Sequence, residues 1–467
     1  MTEIAEVAQR AADALRPSGT WEIFGERLRR YELYFDLGRT ETIRGPIALE
    51  GVGLRTFRPA DDGLAIGFSA SNDLSAEGLR QAKERAIALA ERTRFAARSL
   101  TLPTGAPRRP EGPSVCSVPL WDDPAGSLAR YAHAIASAFD GVTDAQASFG
   151  SVKATLVETS VANSAGLSTA YRATDVEIEV AVKAFGGPEG RPPGEYWVTE
   201  EMRELDPAEA ARAAATWIQR ARDVRRANPP PAGLSTVALP PSLLAEILPQ
   251  SLGLRFGGAG RLQGIGLEAG TAVADGRVSL HDDRTIDRSP GSAPVDDEGC
   301  PTGRIPLIEQ GRVGELLYDA LHASAFGLRP NGAATRAGGR GGSWYRFADR
   351  PRPGIGTLVL APGPDGTGEE ALHGVEEGLW VDQLGWPRPD PLSGAFGGEL
   401  RIGYRIHRGR LAEPLRGGTV GGLVFAAEPG TPSLLGSVRA LGSRPERAGA
   451  LVSPLLVTDG LTVGGGS

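Results

Sequence analysis

Between Arg30 and Ala90 the residue pattern leaves few options other than paired strands followed by a packed helix. Tyr31, Leu33 and Phe35 point one way and Glu32, Tyr34 and Asp36 the other, which is the two-residue period of a half-buried strand. Gly51-Val-Gly-Leu-Arg-Thr-Phe57 reads as a further strand. Gly67-Phe-Ser-Ala-Ser-Asn-Asp-Leu-Ser-Ala-Glu-Gly-Leu79 runs from a strand into a helix. Ser75 is suited to cap that helix, and Leu74 just before it can staple to Leu79. Leu79, Ala82, Ala86, Leu89 and Thr93 then fall on one helical face.

At 467 residues the chain can hold two or three domains, each with its own core. A net charge of −7 argues against a dedicated nucleic-acid binder, which would carry a basic patch or stripe. Lys83, Lys153 and Lys183 are the only lysines among 50 basic residues. The arginines are scattered, so this bias reads as the codon usage of a GC-rich genome. Cys116 and Cys300 form no disulfide framework and match no zinc spacing; they read as small buried hydrophobes. Glu3 and Glu6 interrupt the start, so no signal peptide is read there. No stretch approaches the ~18 apolar residues of a spanning helix. The expectation is a cytoplasmic protein with no membrane or nucleic-acid partner.

Ile4, Val7, Ala8, Ala11 and Leu15 mark an opening amphipathic helix, stopped by Pro17 and Gly19. A Pro/Arg-rich connector, Thr104 to Pro113, separates a first block (1–103) from a second (114–228). In the second block Asp123 and Pro124 begin a helix whose apolar face is Leu128, Tyr131, Ile135 and Phe139. Strands return at Ala154–Val161 and through Val176, Ile178, Val180 and Val182, with Glu177, Glu179 and Lys183 at alternate positions. Asp206-Pro-Ala-Glu209 starts another helix with a capping-box pattern. Asn228-Pro-Pro-Pro-Ala-Gly233 is the clearest boundary, because three prolines cannot continue a helix and make a stiff spacer. From 234 to 467 apolar runs shorten, as in Leu358–Leu360 and Leu400–Tyr404, and turn signals recur. Only Pro241–Leu254 and Leu316–Phe326 read as helices there, while Glu309-Gln-Gly311 and His407-Arg-Gly409 read as tight turns. The expected fold class is α+β: an N-terminal mixed α/β layer domain (1–228), then a mainly antiparallel, β-rich C-terminal domain (234–467).

The wording of the 30–90 region resembles the N-terminal domain of the TldD/PmbA family, whose best-known members form a two-subunit metallopeptidase. The second half resembles the C-terminal domain of the same family through an ordered series of segments. These are Val278–Asp283, Val295-Asp-Asp-Glu-Gly-Cys-Pro-Thr-Gly-Arg304, Leu307–Val313, Leu317–Leu321, Gly378–Val381, Asp390–Phe396, Gly403–Gly409, Pro414 and Thr419–Gly422. In the catalytic branch of the family a helix after the interdomain junction carries His-Glu-x-x-x-His. Both histidines bind zinc, the glutamate polarises a water, and a later cysteine supplies a third ligand, so that the metal can lower the pKa of its bound water. The matching helix here reads Leu243-Leu-Ala-Glu-Ile-Leu-Pro-Gln250. Ala245 and Gln250 stand where the histidines would be, Glu246 keeps the general-base position, and no cysteine follows Cys300.

No other residues offer a replacement site. The histidines, His133, His281, His322, His373 and His407, are too far apart for one helix to present two. His281-Asp-Asp283 is the only ligand-like cluster, and turn chemistry explains it equally well. Asp296-Asp-Glu298 has the carboxylates for acid/base work but lies in a turn before a strand, where a structural role is favoured. There is no Gly-x-Ser-x-Gly elbow and no Walker A motif; Gly338–Gly342 and Gly417-Gly418 read as loops. The resemblance therefore implies the TldE-like branch, with no catalytic, metal or cofactor residues in this chain and zinc in a TldD-like partner of a heterodimer. The implied substrates are unfolded peptides or a peptide-like precursor. Two alternatives are a subunit of a dedicated maturation complex for one specialised metabolite and a non-enzymatic regulatory or scaffold protein.

Overall fold

In the computed structural model every residue is described except 1–2, 16–18, 37–38, 105–111, 187–191, 232, 337–344, 427, 429 and 466–467. Pro17, most of the Thr104–Pro113 connector and the Gly338–Gly342 loop therefore lie outside the described residues. The first helix, α1 (Glu3–Leu15), leads into β1 (Thr20–Asp36), β2 (Arg39–Ala60) and β3 (Gly63–Ser71), then α2 (Ala76–Ala90) and β4 (Arg94–Phe95). The short α3 (Val118–Asp122) and α4 (Pro124–Ser137) precede β5 (Ala145–Asn163), β6 (Ser168–Ala184), β7 (Gly194–Met202) and α5 (Pro207–Arg226). All seven strands form one sheet in the order β4-β3-β2-β1-β5-β6-β7, antiparallel throughout. Strands from both sides of the Pro/Arg connector thus pair directly, β1 beside β5.

Alternation along these strands turns one face of the sheet to the helices. Ile23, Val52 and Leu54 pack under α1 and α2 with Ile4, Val7, Ala8, Leu79 and Ala82. Leu33, Val176, Ile178, Val180 and Val182 pack under α4 and α5 with Leu128, Tyr131, Ile135 and Trp217. Each helix start follows its sequence signal. Ser75 accepts the Gly78 N–H, Asp123 that of Gly126, and Asp206 those of Ala208 and Glu209. Leu74 packs beside Leu79 as a staple. Leu89 differs from expectation: it is 41% exposed, because α2 turns Gly78, Leu79, Ala82, Ala86 and Ala90 inward, and Leu89 lies off that stripe.

Past Gly233 come β8 (Val237–Leu239), α6 (Pro241–Leu252), α7 (Gly258–Leu262), β9 (Leu280–Asp283), β10 (Arg304–Glu309), β11 (Arg312–Val313), α8 (Ala320–Ala325), β12 (Ala334–Thr335), β13 (Arg352–Pro353) and β14 (Leu358–Leu360). The chain finishes with β15 (Glu377–Gly385), β16 (Ala395–His407), β17 (Arg410–Leu415), β18 (Thr419–Leu423), β19 (Val438–Leu441), β20 (Glu446–Ala448), β21 (Leu451–Ser453), β22 (Leu456–Thr458) and β23 (Leu461–Gly464). They build a six-stranded and an eight-stranded sheet, in which only the β14–β21 and β8–β15 pairs are parallel. An extensive core including Leu243, Leu244, Ile247, Phe256, Leu280, Leu307, Leu379, Leu400 and Leu456 lies between these sheets and α6. Both expected tight turns form: Gln310 and Gly311 between β10 and β11, and Arg408 and Gly409 between β16 and β17, each take two consecutive positive φ values. Two such residues match the right-handed twist of a hairpin. The expected helix Leu316–Phe326 shortens to α8, because Asp319 caps it by accepting the His322 N–H, while Leu317 pairs in extended form with Gly257. The short α7 was not read from the sequence.

The Gly51-Val-Gly motif shapes a trough in the remaining face of the large sheet. Gly51 and Gly53 lie opposite Glu26 and Phe24 on β1, and the C-terminal segment 345–347 lies in the space they leave. A Cβ on Gly51 would sit 2.3 Å from the Phe347 ring, and one on Gly53 would sit 2.4 Å from the Phe347 carbonyl oxygen. Gly53→Ala should therefore cost about 1–3 kcal/mol in denaturant unfolding, because a backbone atom must move. Gly397→Ala, whose new methyl meets nothing closer than 3.6 Å, should shift the midpoint far less.

Candidate functional site: a helix without ligands and a buried ionic junction

Two places could hold chemistry: α6 and the loop Asp296–Glu298. The α6 helix starts with Pro241 and buries Leu243, Leu244, Ile247, Leu248 and Leu252. Ala245 is half-buried against the core, Glu246 is half-buried and Gln250 is exposed. Pro249 sits inside the helix; it lacks the N–H that the Ala245 carbonyl would accept and crowds that carbonyl.

The histidines are dispersed. His133 and His373 are exposed. His407 pairs with Glu377 at 2.6 Å. His281 is buried in β9, where burial and the nearby Arg304 guanidinium push it down to about 4. Its neighbours do not converge with it: Asp282 holds Arg284 and the Gly356 N–H, and Asp283 accepts from Thr285. Burial raises both thiols, Cys300 to about 12, which leaves them unreactive at neutral pH. Among the described residues no three His, Cys, Asp or Glu side chains are grouped to hold a metal.

The Asp296–Glu298 loop lies against the trough in the large sheet. Arg55 donates from Nε to Glu22 Oε1 at 3.1 Å, and its Nη2 meets both Glu22 Oε2 and, at 2.5 Å, Glu298 Oε1. Arg336 Nη2 reaches Glu22 at 3.0 Å, and its backbone N–H donates to Asp297 at 2.6 Å. Arg346 bridges Glu26 at 2.8 Å and Asp297 at 2.9 Å. Asp296 accepts the N–H groups of Glu298, Cys300 and Ala334. Glu22, Glu26, Arg55, Glu298, Asp319 and Arg336 are essentially sealed from solvent. Burial opposes the charge on Arg55, but the Glu22 and Glu298 carboxylates outweigh it and raise its pKa. Burial lowers Arg336 to about 10, still charged at neutral pH. Burial lifts Asp296 to about 7, and lifts Glu298 well above the usual carboxylate range. Buried among these partners, Asp296 and Glu298 serve as a docking joint between the two halves of the chain.

Sequence reasoning picked out Asp296–Glu298 but missed their partners Glu22, Glu26, Arg55, Arg336 and Arg346. A signal was present: Glu22 and Glu26 share the strand face of Phe24 and Leu28, so charges recur on a face with a core period.

This architecture, an antiparallel sheet clasped to a β-rich half, is an α+β fold. Residues 21–90 match the PmbA/TldA metallopeptidase domain 1, residues 117–222 the central domain and residues 233–465 the C-terminal domain. The chain belongs to the PmbA/TldD family. It is 28% identical over 203 residues to a metalloprotease of Methanothermobacter thermautotrophicus, covering 43% of this chain and 42% of that protein. It is 27% identical over 193 residues to a metalloprotease TldD homolog of Haemophilus influenzae, covering 41% and 38%. The chain thus matches about two fifths of these relatives' length. Its fold is shared with TldE from Thermococcus kodakarensis (TM-score 0.77, 18% identity, 98% and 99% of the two chains). It is shared also with a candidate modulator of DNA gyrase from Bacteroides thetaiotaomicron (TM-score 0.79, 16% identity, 100% and 99%). Among the described residues no helix is long and apolar enough to cross a membrane.

The family name implies a metal, and the donors on α6 do not fit one. Alanine has no donor atom, Gln250 offers an exposed amide, and no cysteine follows Cys300 to supply the third ligand. The double variant Ala245→His/Gln250→His should accordingly take up no stoichiometric zinc, as read by elemental analysis after dialysis. At the junction, Arg55→Met should cost about 3–5 kcal/mol in urea unfolding, since it leaves Glu22 and Glu298 buried without their cation. Arg80→Met, which breaks exposed pairs with Glu77 and Glu84, should stay within about 1 kcal/mol.

Proposed function

We propose that this chain is the metal-free, TldE-like subunit of a two-chain zinc peptidase, working in the cytoplasm on unfolded peptides or a peptide-like precursor. A TldD-like partner supplies the zinc and the general base. This chain supplies a wall of the substrate chamber and the surface on which the partner docks. The observation that carries the reading is α6: the helix keeps its place in the C-terminal core, while the ligand positions hold Ala245 and an exposed Gln250. The full-length fold likeness to a protein named TldE and the sequence likeness to proteins named TldD metalloproteases support a place within that pair.

Reconstitution tests the reading. The purified chain is mixed with a TldD-like chain bearing an intact His-Glu-x-x-x-His motif, and hydrolysis of an unfolded peptide is followed. The expected result is a stable complex, burying ~2,000 Å² or more, in which activity appears only when both chains are present. Equal activity of the partner alone would refute the proposal and favour a scaffold role.

A further inference from the structure

Among the described residues, the ionic junction holds more acid than base. Glu22, Glu26, Asp296, Asp297, Glu298 and Asp319 meet there, against the guanidinium groups of Arg55, Arg336 and Arg346. Arg284, the next cation, is engaged by Asp282 and by oxygens of Ala333, Ala334, Thr335 and Gly354. Asp296 is stabilised by three backbone N–H groups, but several uncompensated carboxylates sealed from water would cost more than a fold of this kind can offset.

One atom shows where the imbalance is resolved. Asp319 is fully buried, and its Oδ1 takes both the backbone N–H and the ring Nδ1 of His322 at 2.7 Å. Its Oδ2 has no hydrogen-bond donor. Glu298 Oε2 lies 2.6 Å from the backbone nitrogen of Ala320, the residue that follows Asp319, and Glu298 Oε1 is held by Arg55. Two carboxyl groups therefore sit at one end of α8, one of them with an acceptor lacking its donor. We propose that Glu298 carries a proton and donates it to Asp319 as an acid–carboxylate pair, so that docking the N-terminal sheet onto the C-terminal half takes up a proton. The groups facing Glu298 are Arg55 from β2, Glu22 from β1, Asp296 from its own loop, Arg336 after β12, and Asp319 with His322 from α8. Only the two guanidinium groups favour the ionised form; burial and the three other carboxylates oppose it, consistent with the upward shift of Glu298.

The proton gives the junction a direction of pH response. The docked chain holds a proton that the unfolded chain releases near an ordinary glutamate value of about 4.3. The stabilisation is complete below that value, declines as pH rises, and is lost once pH passes the raised value in the docked state. The junction is thus a proton-coupled clasp that loosens in alkali.

The test uses the full chain and two readouts. Infrared spectra at neutral pH should show an undissociated carboxyl band that Glu298→Gln removes. The glutamine amide can donate to Asp319, but it then faces the Ala320 N–H that Glu298 Oε2 accepts, so the variant should melt several degrees below the native chain at about pH 6. By about pH 9 that gap should narrow, the variant having lost part of the alkaline decline. No such band in the native chain overturns the proposal. So does a Glu298→Gln variant whose melting temperature falls with rising pH as steeply as that of the native chain, because the alkaline decline is then not that of Glu298.

Discussion

The structure depends on one buried contact, Arg55 held between Glu22 on the neighbouring strand and Glu298 on the far side of the junction. Together with Arg203 on the carbonyls of Ser289, Pro290 and Ser292 and Tyr404 on Asp223, it ties the large antiparallel sheet to the β-rich half. A buried guanidinium with two carboxylates is a poor source of net stability compared with an apolar contact, because desolvation offsets most of the attraction. Its value is positional. A hydrophobic face tolerates sliding, whereas a bidentate fork fixes the approach to within a hydrogen bond. The glycines of β2 serve the same end: with no side chains at Gly51 and Gly53, Phe347 lies on the sheet backbone and Arg336 and Arg346 reach across Phe24. Aromatic contact and ionic contact alternate along the trough, so each excludes water from the other.

Much of this was legible in the sequence, and what was missed has a physical reason. The period-two runs at 31–36 and 176–182, the caps at Ser75, Asp123 and Asp206, and the hairpin turns at Gln310-Gly311 and Arg408-Gly409 are local signals, and each forms as read. The failures are tertiary. Leu89 fits the helical stripe within one turn yet faces solvent, because the stripe that packs is set by how close α2 comes to β3. At Gly67 the approach is so close that a Cβ would lie 1.7 Å from the Ala86 carbonyl oxygen. The helix expected from Leu316 begins only after Asp319, since the preceding residues pair with the chain around Gly257. The partners of Asp296–Glu298 lie far away in sequence, Glu22 and Arg55 among them, and without a structure nothing in the spacing joins them.

The acidic loop shows how one motif can be read two ways. Three carboxylates in a row before a strand have the composition of an acid/base site, but a catalytic acid needs reach to a substrate. Here the oxygens of Asp296, Asp297 and Glu298 are turned to backbone N–H and guanidinium groups, and the three side chains are buried. Perturbed titration at this place reports burial in a joint, which is the structural alternative that always stands beside the catalytic one.

On the proposed reading, the two halves of the argument meet at α6. A helix stripped of its ligands is free of the demand that positions 245 and 250 face one ion, and Pro249 then costs only a main-chain hydrogen bond on a helix otherwise held by Leu243, Leu244, Ile247, Leu248 and Leu252. The joint is under no such release. Each of its guanidinium groups must still be kept, because a single loss strands a buried partner. The parts of this chain that shape a rigid body are therefore intact where the parts that would hold a metal are not, as expected of a subunit whose contribution is a surface held in one fixed form.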